Sequence, residues 1–369
     1  MRGFDEMKIL ISCGGTAGHI NPGIAIANKL KSIVKEVDIL FVGTEKGMEN
    51  TLVPKEGYEL KTIKARGLKR KISFDLFKAA FDAISGYNEA RTIIKQFKPD
   101  VVVGTGGYAC FPVVLAACMM RIPSLIHEQN AFPGLANRIL SRFADVVAIS
   151  FDESRQYFNR AKKIEFTGNP VREEIFAIDK KTARQRLNIP QNNKVVVVTG
   201  GSLGAKKIND TVMSMIRNNY NGEFEIIFST GKRYYDEIIN SLEGREIKGV
   251  KIVPYIYNAA EVYNAADIMV CRAGAITCSE LAAAGIPSIL IPSPNVTANH
   301  QEHNARALEK KGAAYVILEK ELSPNILYDR LISMLSDQSK LNAMSRHAFA
   351  AGTRDAAIKL AQTIMRLIK

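Results

Sequence analysis

A chain of 369 residues is long enough for two domains rather than one. With 47% apolar and 24% charged residues it has the composition of a globular protein with real cores, which excludes a disordered chain. The net charge of +13 admits nucleic acid, an anionic lipid surface or a phosphorylated substrate as partner, or only a solvated basic surface.

Asp5 and Glu6 precede the first short apolar run, which is not the pattern of a signal peptide. Residues 8–13 read as a strand, followed by the glycine loop GGTAGHINPG at 14–23 and a helical pattern over 22–32. Residues 38–43 are the next strand. The run KTIKARGLKRKI at 61–72 then carries six basic side chains and no acidic one. Behind it Phe74, Phe77, Phe81 and Ile84 recur at spacings of three and four, so they share one helix face, widened by Leu76 and Ala80. That face suits either a protein core or an interfacial helix that inserts among lipids while Lys69, Arg70 and Lys71 meet anionic headgroups.

Residues 100–103 form another strand and run into a second loop, GTGGYACFP at 104–112. The near-apolar stretch 110–120 falls well short of the ~18–20 residues a bilayer requires and contains Pro112, so no segment is expected to span a membrane. Strands follow at 124–127 and 146–150, and a GNP turn at 168–170 marks the expected domain boundary. The pattern then restarts: KVVVVT at 194–199, the loop GGSLGA at 200–205, a helix over 206–216, and strands at 225–229, 268–271 and 288–291. An amphipathic helix over 353–369 ends the chain and can pack on either domain. Alternating strands and helices imply the α/β class, as two Rossmann-like domains with parallel sheets and an interdomain cleft at the carboxyl ends of the strands.

Glycines after a strand let the backbone turn tightly, and the following helix N-terminus offers N–H groups and partial positive charge to a phosphate. Three such loops point to a phosphorylated ligand, although any one alone is also an ordinary strand-to-helix turn. The first loop is not G-x-G-x-x-G, and strand 38–43 ends without the acid that would hold a ribose, so NAD is not expected. No Walker loop and no D-x-D occur, so a leaving diphosphate needs helix N-termini and cationic side chains, and no metal is expected. Five scattered cysteines (Cys13, Cys110, Cys118, Cys271, Cys278) lack zinc-site spacing and read as reduced thiols of a cytosolic protein.

The chain resembles the peptidoglycan N-acetylglucosaminyltransferases. The likeness runs from about residue 8 to the last helix and rests on GGTAGHINPG, GTGGY, HEQNAFPGLAN at 127–137, TGNPVR at 167–172, GGSLGA, CRAGAITCSELAAAGIP at 271–287 and NHQEHNA at 299–305. It implies the GT-B architecture, with 1–168 plus the helix 353–369 as an acceptor- and membrane-binding domain and 169–352 as the UDP-sugar domain. It implies inverting transfer of N-acetylglucosamine from UDP-N-acetylglucosamine to the 4-hydroxyl of undecaprenyl-diphosphate-linked N-acetylmuramyl-pentapeptide. No tightly bound cofactor and no nucleic acid enter. The expected location is the cytoplasmic face of the cell membrane, as a peripheral enzyme, with other cell-wall synthesis proteins as candidate partners.

By the same resemblance Thr16, Ala17, Gly18 and Asn130 face the donor sugar, Arg172 and Ser202 the nucleotide diphosphate, and Ile256 the uracil edge through its backbone. The segment Ala275, Ile276, Thr277 cradles the diphosphate, Glu280 holds the ribose hydroxyls, and Gln301 bonds the sugar with His300 beside it. Gly104, Gly106, Gly107 and Tyr108 take the acceptor diphosphate. His19 is the candidate base, since it follows the first glycine loop and histidine as a residue type titrates near working pH, with His127 and Glu128 as alternatives. The chain departs from the family in Ala17 where glycine is common, in Cys110-Phe111-Pro112 where Ser-Gly-Pro is usual, and in having no tryptophan. Two other readings stand beside this one: a UDP-N-acetylglucosamine 2-epimerase, which needs no lipid acceptor, and a non-enzymatic basic binding protein.

Overall fold

The computed structural model describes residues 7–65 and 74–368 and the backbone of the helix from Phe74, whose side chains are described from residue 84 onward. The chain forms two compact units, one ending at Val171 and resuming at Arg354, the other running from Arg172 to Thr353.

The first unit is built on a seven-stranded parallel sheet in the order β3-β2-β1-β4-β5-β6-β7. Its strands are β1 (Met7–Ser12), β2 (Val37–Thr44), β3 (Glu59–Ile63), β4 (Val101–Gly104), β5 (Ser124–Glu128), β6 (Val146–Ile149) and β7 (Ile164–Phe166). Central strands of such a sheet are buried on both faces and so read as unbroken apolar runs. Along β1, Ile9 and Ile11 enter a core shared with Ile20, Ile26 and Leu30 of the following helix, while Leu10 enters the core on the opposite face.

The final helix, Ala356–Leu367, belongs to this first unit. Leu360, Ala361 and Ile364 are fully buried in the core with Ile9 and Ile11. Thr363 and Arg366 donate to Glu165 Oε2, at 2.5 and 2.7 Å. Burying a leucine or isoleucine side chain contributes about 1.5–3 kcal/mol, so this helix is part of the unit's core.

The second unit carries a six-stranded parallel sheet in the order β10-β9-β8-β11-β12-β13. These strands are β8 (Val195–Thr199), β9 (Glu225–Ser229), β10 (Val250–Val253), β11 (Ile268–Cys271), β12 (Ser288–Leu290) and β13 (Ala314–Val316). Both sheets reverse strand order beside their first strand, between β1 and β4 and between β8 and β11. In open α/β sheets ligands bind outside the carboxyl ends of the strands at that switch point. The first two glycine loops follow β1 and β4, the third follows β8, and the Ala275–Ala284 helix follows β11. Each unit therefore presents its glycine-rich segments where its topology opens.

Among the described residues no helix is long and apolar enough to cross a membrane. All five cysteines are free; burial pushes the Cys110 and Cys271 thiols up to about 12.

Candidate functional site

In the first unit the helix after β1 begins at Ala17 rather than at Pro22. Thr16 is its N-cap with extended backbone, and Pro22 lies inside it. Thr16, Ala17 and Gly18 are therefore not loop residues but the cap and first turn of a helix, and its geometry gives the Ala17 and Gly18 N–H groups no intrahelical acceptor. Ala17 has helical, negative φ, so a side chain is tolerated there. The preceding loop is braced by a residue that sequence reading passes over. Glu49 is fully buried and accepts from the Gly15 and Thr44 N–H groups, each at 2.9 Å, and from the Thr44 hydroxyl at 2.6 Å. Burial alone would push its carboxyl up, but these hydrogen bonds outweigh it and hold it below the usual range.

The second loop is shorter than the sequence suggests. Cys110, Phe111 and Pro112 open the helix Cys110–Met119, and proline fits there because the first helical turn needs no N–H from it. Cys110 is buried, so this departure from the family sits against the core rather than on the open edge. Gly104 ends β4 and is buried, as is Gly106; Gly107 is half-buried and Tyr108 is exposed. Gly106 (φ +107°) and Gly107 (φ +89°) are required as glycines. A Cβ on Gly106 would lie 2.5 Å from His19 Nδ1, and one on Gly107 would lie 2.2 Å from the Gly14 carbonyl oxygen. The two glycine loops are thus packed backbone to backbone at Gly107 and Gly14, with the His19 ring against Gly106.

The segment after β5 supplies the ring's other neighbours. His19 Nδ1 lies 3.1 Å from Gln129 Oε1, and the Gln129 amide nitrogen lies 2.7 Å from the Thr105 carbonyl and 3.1 Å from His127 Nδ1. His127 is fully buried, with Nε2 3.1 Å from the Gly168 carbonyl and 3.0 Å from Ser150 Oγ. Burial pushes its imidazole down to about 4, so it is neutral at working pH. Glu128 is also buried; its two oxygens accept from the Asn130 backbone and side chain, the Gly134 N–H and Asn137. Both alternative bases are thus buried with their polar atoms engaged by neighbouring groups. His127 and Glu128 hold the loop that carries Gln129 and the half-buried Asn130.

In the second unit Ser202 is exposed on the turn after β8, beside Leu203, which is 80% exposed. Ile256 is half-buried in the segment after β10, between the exposed Tyr255 and Tyr257. Ala275, Ile276 and Thr277 are not a turn but the first turn of the helix Ala275–Ala284, so their N–H groups lie at its positive end. Glu280, one turn further, is 4% exposed. Its carboxylate accepts from Arg172 Nε at 2.7 Å and Nη2 at 3.2 Å, a bidentate pair, and from the Tyr263 hydroxyl at 3.2 Å. The guanidinium also lies over the Tyr263 ring, 5.6 Å from its centroid. Burial opposes the charge on Arg172, but Glu280 more than offsets it and raises its pKa. Two side chains expected on different parts of a nucleotide therefore hold each other here, over an aromatic base that sequence reading did not single out. Tyr263 escapes notice because it sits in an ordinary apolar helix pattern.

Gln301 accepts from the Ser293 N–H at 2.9 Å, and His300 Nδ1 lies 2.9 Å from the Thr297 carbonyl. Ala298 and Asn299, immediately before the helix His300–Lys310, both have left-handed backbone, with φ of +53° and +52°. Lys69, Arg70 and Lys71 lie outside the described residues, as do the side chains of Phe74, Phe77 and Phe81. Ile84, on the same helix, is 63% exposed.

Comparison with known proteins matches residues 9–149 to the glycosyltransferase family 28 N-terminal domain and residues 195–360 to the family's C-terminal domain. A relative from Acetivibrio thermocellus, named UDP-N-acetylglucosamine--N-acetylmuramyl-(pentapeptide) pyrophosphoryl-undecaprenol N-acetylglucosamine transferase, is 51% identical over 98% of this chain and 99% of its own. Among solved structures, MurG of Acinetobacter baumannii superposes with a TM-score of 0.80 at 27% identity, covering 98% of this chain and 99% of that one. A UDP-GlcNAc 2-epimerase from Neisseria meningitidis, bound to UDP-GlcNAc, gives a TM-score of 0.66 at 16% identity, with 98% and 100% coverage, a likeness of fold alone.

Proposed function

The chain belongs to glycosyltransferase family 28, and from that premise we infer that it transfers N-acetylglucosamine from UDP-N-acetylglucosamine to N-acetylmuramyl-pentapeptide carried on undecaprenyl diphosphate. Its two Rossmann-like units are the GT-B fold of that family. The observation that carries the reading is identity of 51% along almost the whole chain to an enzyme of that name. The glycine loops at both switch points support it.

In the reaction, the 4-hydroxyl oxygen of the muramyl sugar attacks the anomeric carbon while the bond from that carbon to the UDP oxygen breaks. One displacement turns an α-linked donor into a β-linked product. His19 takes the hydroxyl proton, and UDP departs with the electron pair of the broken bond. No acid is needed, because a diphosphate is already a good leaving group. The helix N-terminus at Ala275, Ile276 and Thr277, with Arg172 and Ser202, stabilises its charge. Glu280 holds the ribose diol, and the Ile256 backbone meets the uracil edge. Thr16, Ala17, Gly18, Asn130, His300 and Gln301 orient the donor sugar. On the acceptor diphosphate, the burial of Gly104 and Gly106 leaves contact to Gly107 and Tyr108.

Radiolabelled UDP-N-acetylglucosamine, incubated with and without the lipid-linked muramyl acceptor, tests the reading. Label enters a β-linked disaccharide lipid only when acceptor is present. Conversion of the donor sugar without acceptor would instead establish the epimerase reading.

The first unit docks the enzyme on the membrane surface. The six-residue basic charge of 61–72, the periodic Phe74, Phe77 and Phe81, and the exposure of Ile84 on their helix support this. Changing Lys69, Arg70 and Lys71 together to glutamate removes three attractions of about 1 kcal/mol each to an anionic surface and adds repulsion. Cosedimentation with anionic vesicles at low salt weakens and the apparent KM for lipid acceptor rises, with UDP affinity intact. Unaltered vesicle binding by the triple variant places the docking surface elsewhere.

A further inference from the structure

The hydrogen bonds around His19 have a direction, and Gln129 sets it. The Thr105 carbonyl is an acceptor with no proton to give, and it lies 2.7 Å from one atom of the Gln129 amide. If that atom were oxygen, two acceptors would face each other at hydrogen-bond distance. The nitrogen must therefore face Thr105, and the oxygen, Oε1, must face His19 Nδ1 at 3.1 Å. An amide oxygen can only accept, so the proton of a neutral His19 ring sits on Nδ1 and its lone pair on Nε2.

The other end of the chain of bonds agrees. The Gly168 carbonyl beside His127 Nε2 requires a proton there, which leaves Nδ1 of His127 to accept the second Gln129 N–H at 3.1 Å. Ser150 donates to Asn169 Oδ1 at 2.9 Å, and the Asn169 amide nitrogen donates to the Gln129 carbonyl at 3.0 Å, so the backbone bearing Gln129 is fixed as well. With Gln129 2% exposed and its amide held on three sides, it cannot turn over to suit the other tautomer of His19.

We propose that Gln129 is a positioning residue that holds His19 in the Nδ1–H tautomer, with Nε2 as the nitrogen that receives the acceptor hydroxyl proton. The tautomer assignment stands on the hydrogen bonds alone; its catalytic meaning rests on the reading of His19 as the base. The preference is opposite to that of a free histidine side chain in water, which favours the proton on Nε2. A base that must present Nε2 gains from a partner that reverses this default, as in other sites where the bond made by one ring nitrogen decides the state of the other.

The test is long-range ¹H–¹⁵N correlation NMR on the full chain with ¹⁵N-labelled histidine, at a pH where the rings are neutral. Only five histidines are present, and the His19 signals are those lost in His19→Asn. We expect the non-protonated nitrogen of His19 to be Nε2. A mixture, or a proton on Nε2, overturns the proposal, and this measurement needs no variant of Gln129 to fold. Gln129→Met, close in volume and unable to fix either nitrogen, moves His19 toward the solution tautomer and lowers kcat by about tenfold or more, with UDP affinity unchanged. Retention of the Nδ1–H tautomer in that variant overturns the role of Gln129. If His19→Ala proves fully active while the Nδ1–H tautomer is observed, the base lies elsewhere and the positioning of His19 by Gln129 stands.

Discussion

His19→Ala lowers turnover by about 10²–10⁴-fold while leaving UDP affinity close to that of the parent. The size of the effect is that of a lost general base, and the retention of UDP follows from where the residue sits. His19 is in the first unit, beside the two glycine loops, while Arg172, Ser202, Ile256 and Glu280 are all in the second. The ring also fills the space against Gly106, so some loosening of the loops accompanies its loss. His19→Asn and His19→Gln control for this, since both retain bulk and a polar atom without a basic nitrogen. Steady-state kinetics paired with calorimetric titration of UDP check the result. Near-normal turnover in all three variants moves the base elsewhere, and loss of UDP binding makes His19 a donor ligand instead.

Glu280→Ala weakens UDP binding by roughly 1–3 kcal/mol, the value of a charge-assisted hydrogen bond. The structure adds a second consequence. Both carboxylate oxygens of Glu280 are engaged by Arg172, and one of them also by Tyr263. When Glu280 is the ribose ligand, the diol competes with Arg172 for those oxygens, and the guanidinium is displaced toward the diphosphate. Removing the carboxylate thus takes away the ribose contact and also releases Arg172 in advance. The first effect weakens UDP; the second strengthens whatever contact Arg172 makes with phosphate. Because Arg172 is partly exposed, the strength of its pair with Glu280 is reduced by solvent, so the first effect wins. Uridine, which has the diol but no phosphate, loses proportionally more affinity than UDP in this variant. Unchanged UDP affinity in a folded Glu280→Ala protein rules out the ribose assignment.

The nine strands legible in the sequence are the interior ones, and the four it misses are the edges: β3, β7, β10 and β13. A strand covered on both faces must be apolar at every position, whereas Glu59–Ile63 and Val250–Val253 need bury only part of their surface and carry charge among their apolar residues. The helix after β1 starts earlier than its sequence suggests because Pro22 looks like a helix start, and nothing local reveals that Thr16 already caps it. Glycine loops were legible because three strands end in them. The bonds that make the site were not, because they join distant positions: Glu49 to Gly15, Gln129 to His19, Arg172 to Glu280. A buried glutamine and a buried tyrosine carry no local mark of what they will touch.

The helix Ala356–Leu367 closes the core of the first unit with Leu360, Ala361 and Ile364 after the chain has passed through the whole of the second. On the ribosome, this makes assembly non-vectorial. The strands β1 to β7 emerge first, yet the face of β1 that carries Ile9 and Ile11 lacks its last covering helix until translation has passed that helix. The second unit, an uninterrupted segment, has all its strands and helices in hand earlier and can complete its core while the first still waits. Nascent chains arrested anywhere between about residue 172 and residue 353 therefore expose an apolar strip on the N-terminal half, in addition to the unfinished core of the second unit, and offer a chaperone a hold there.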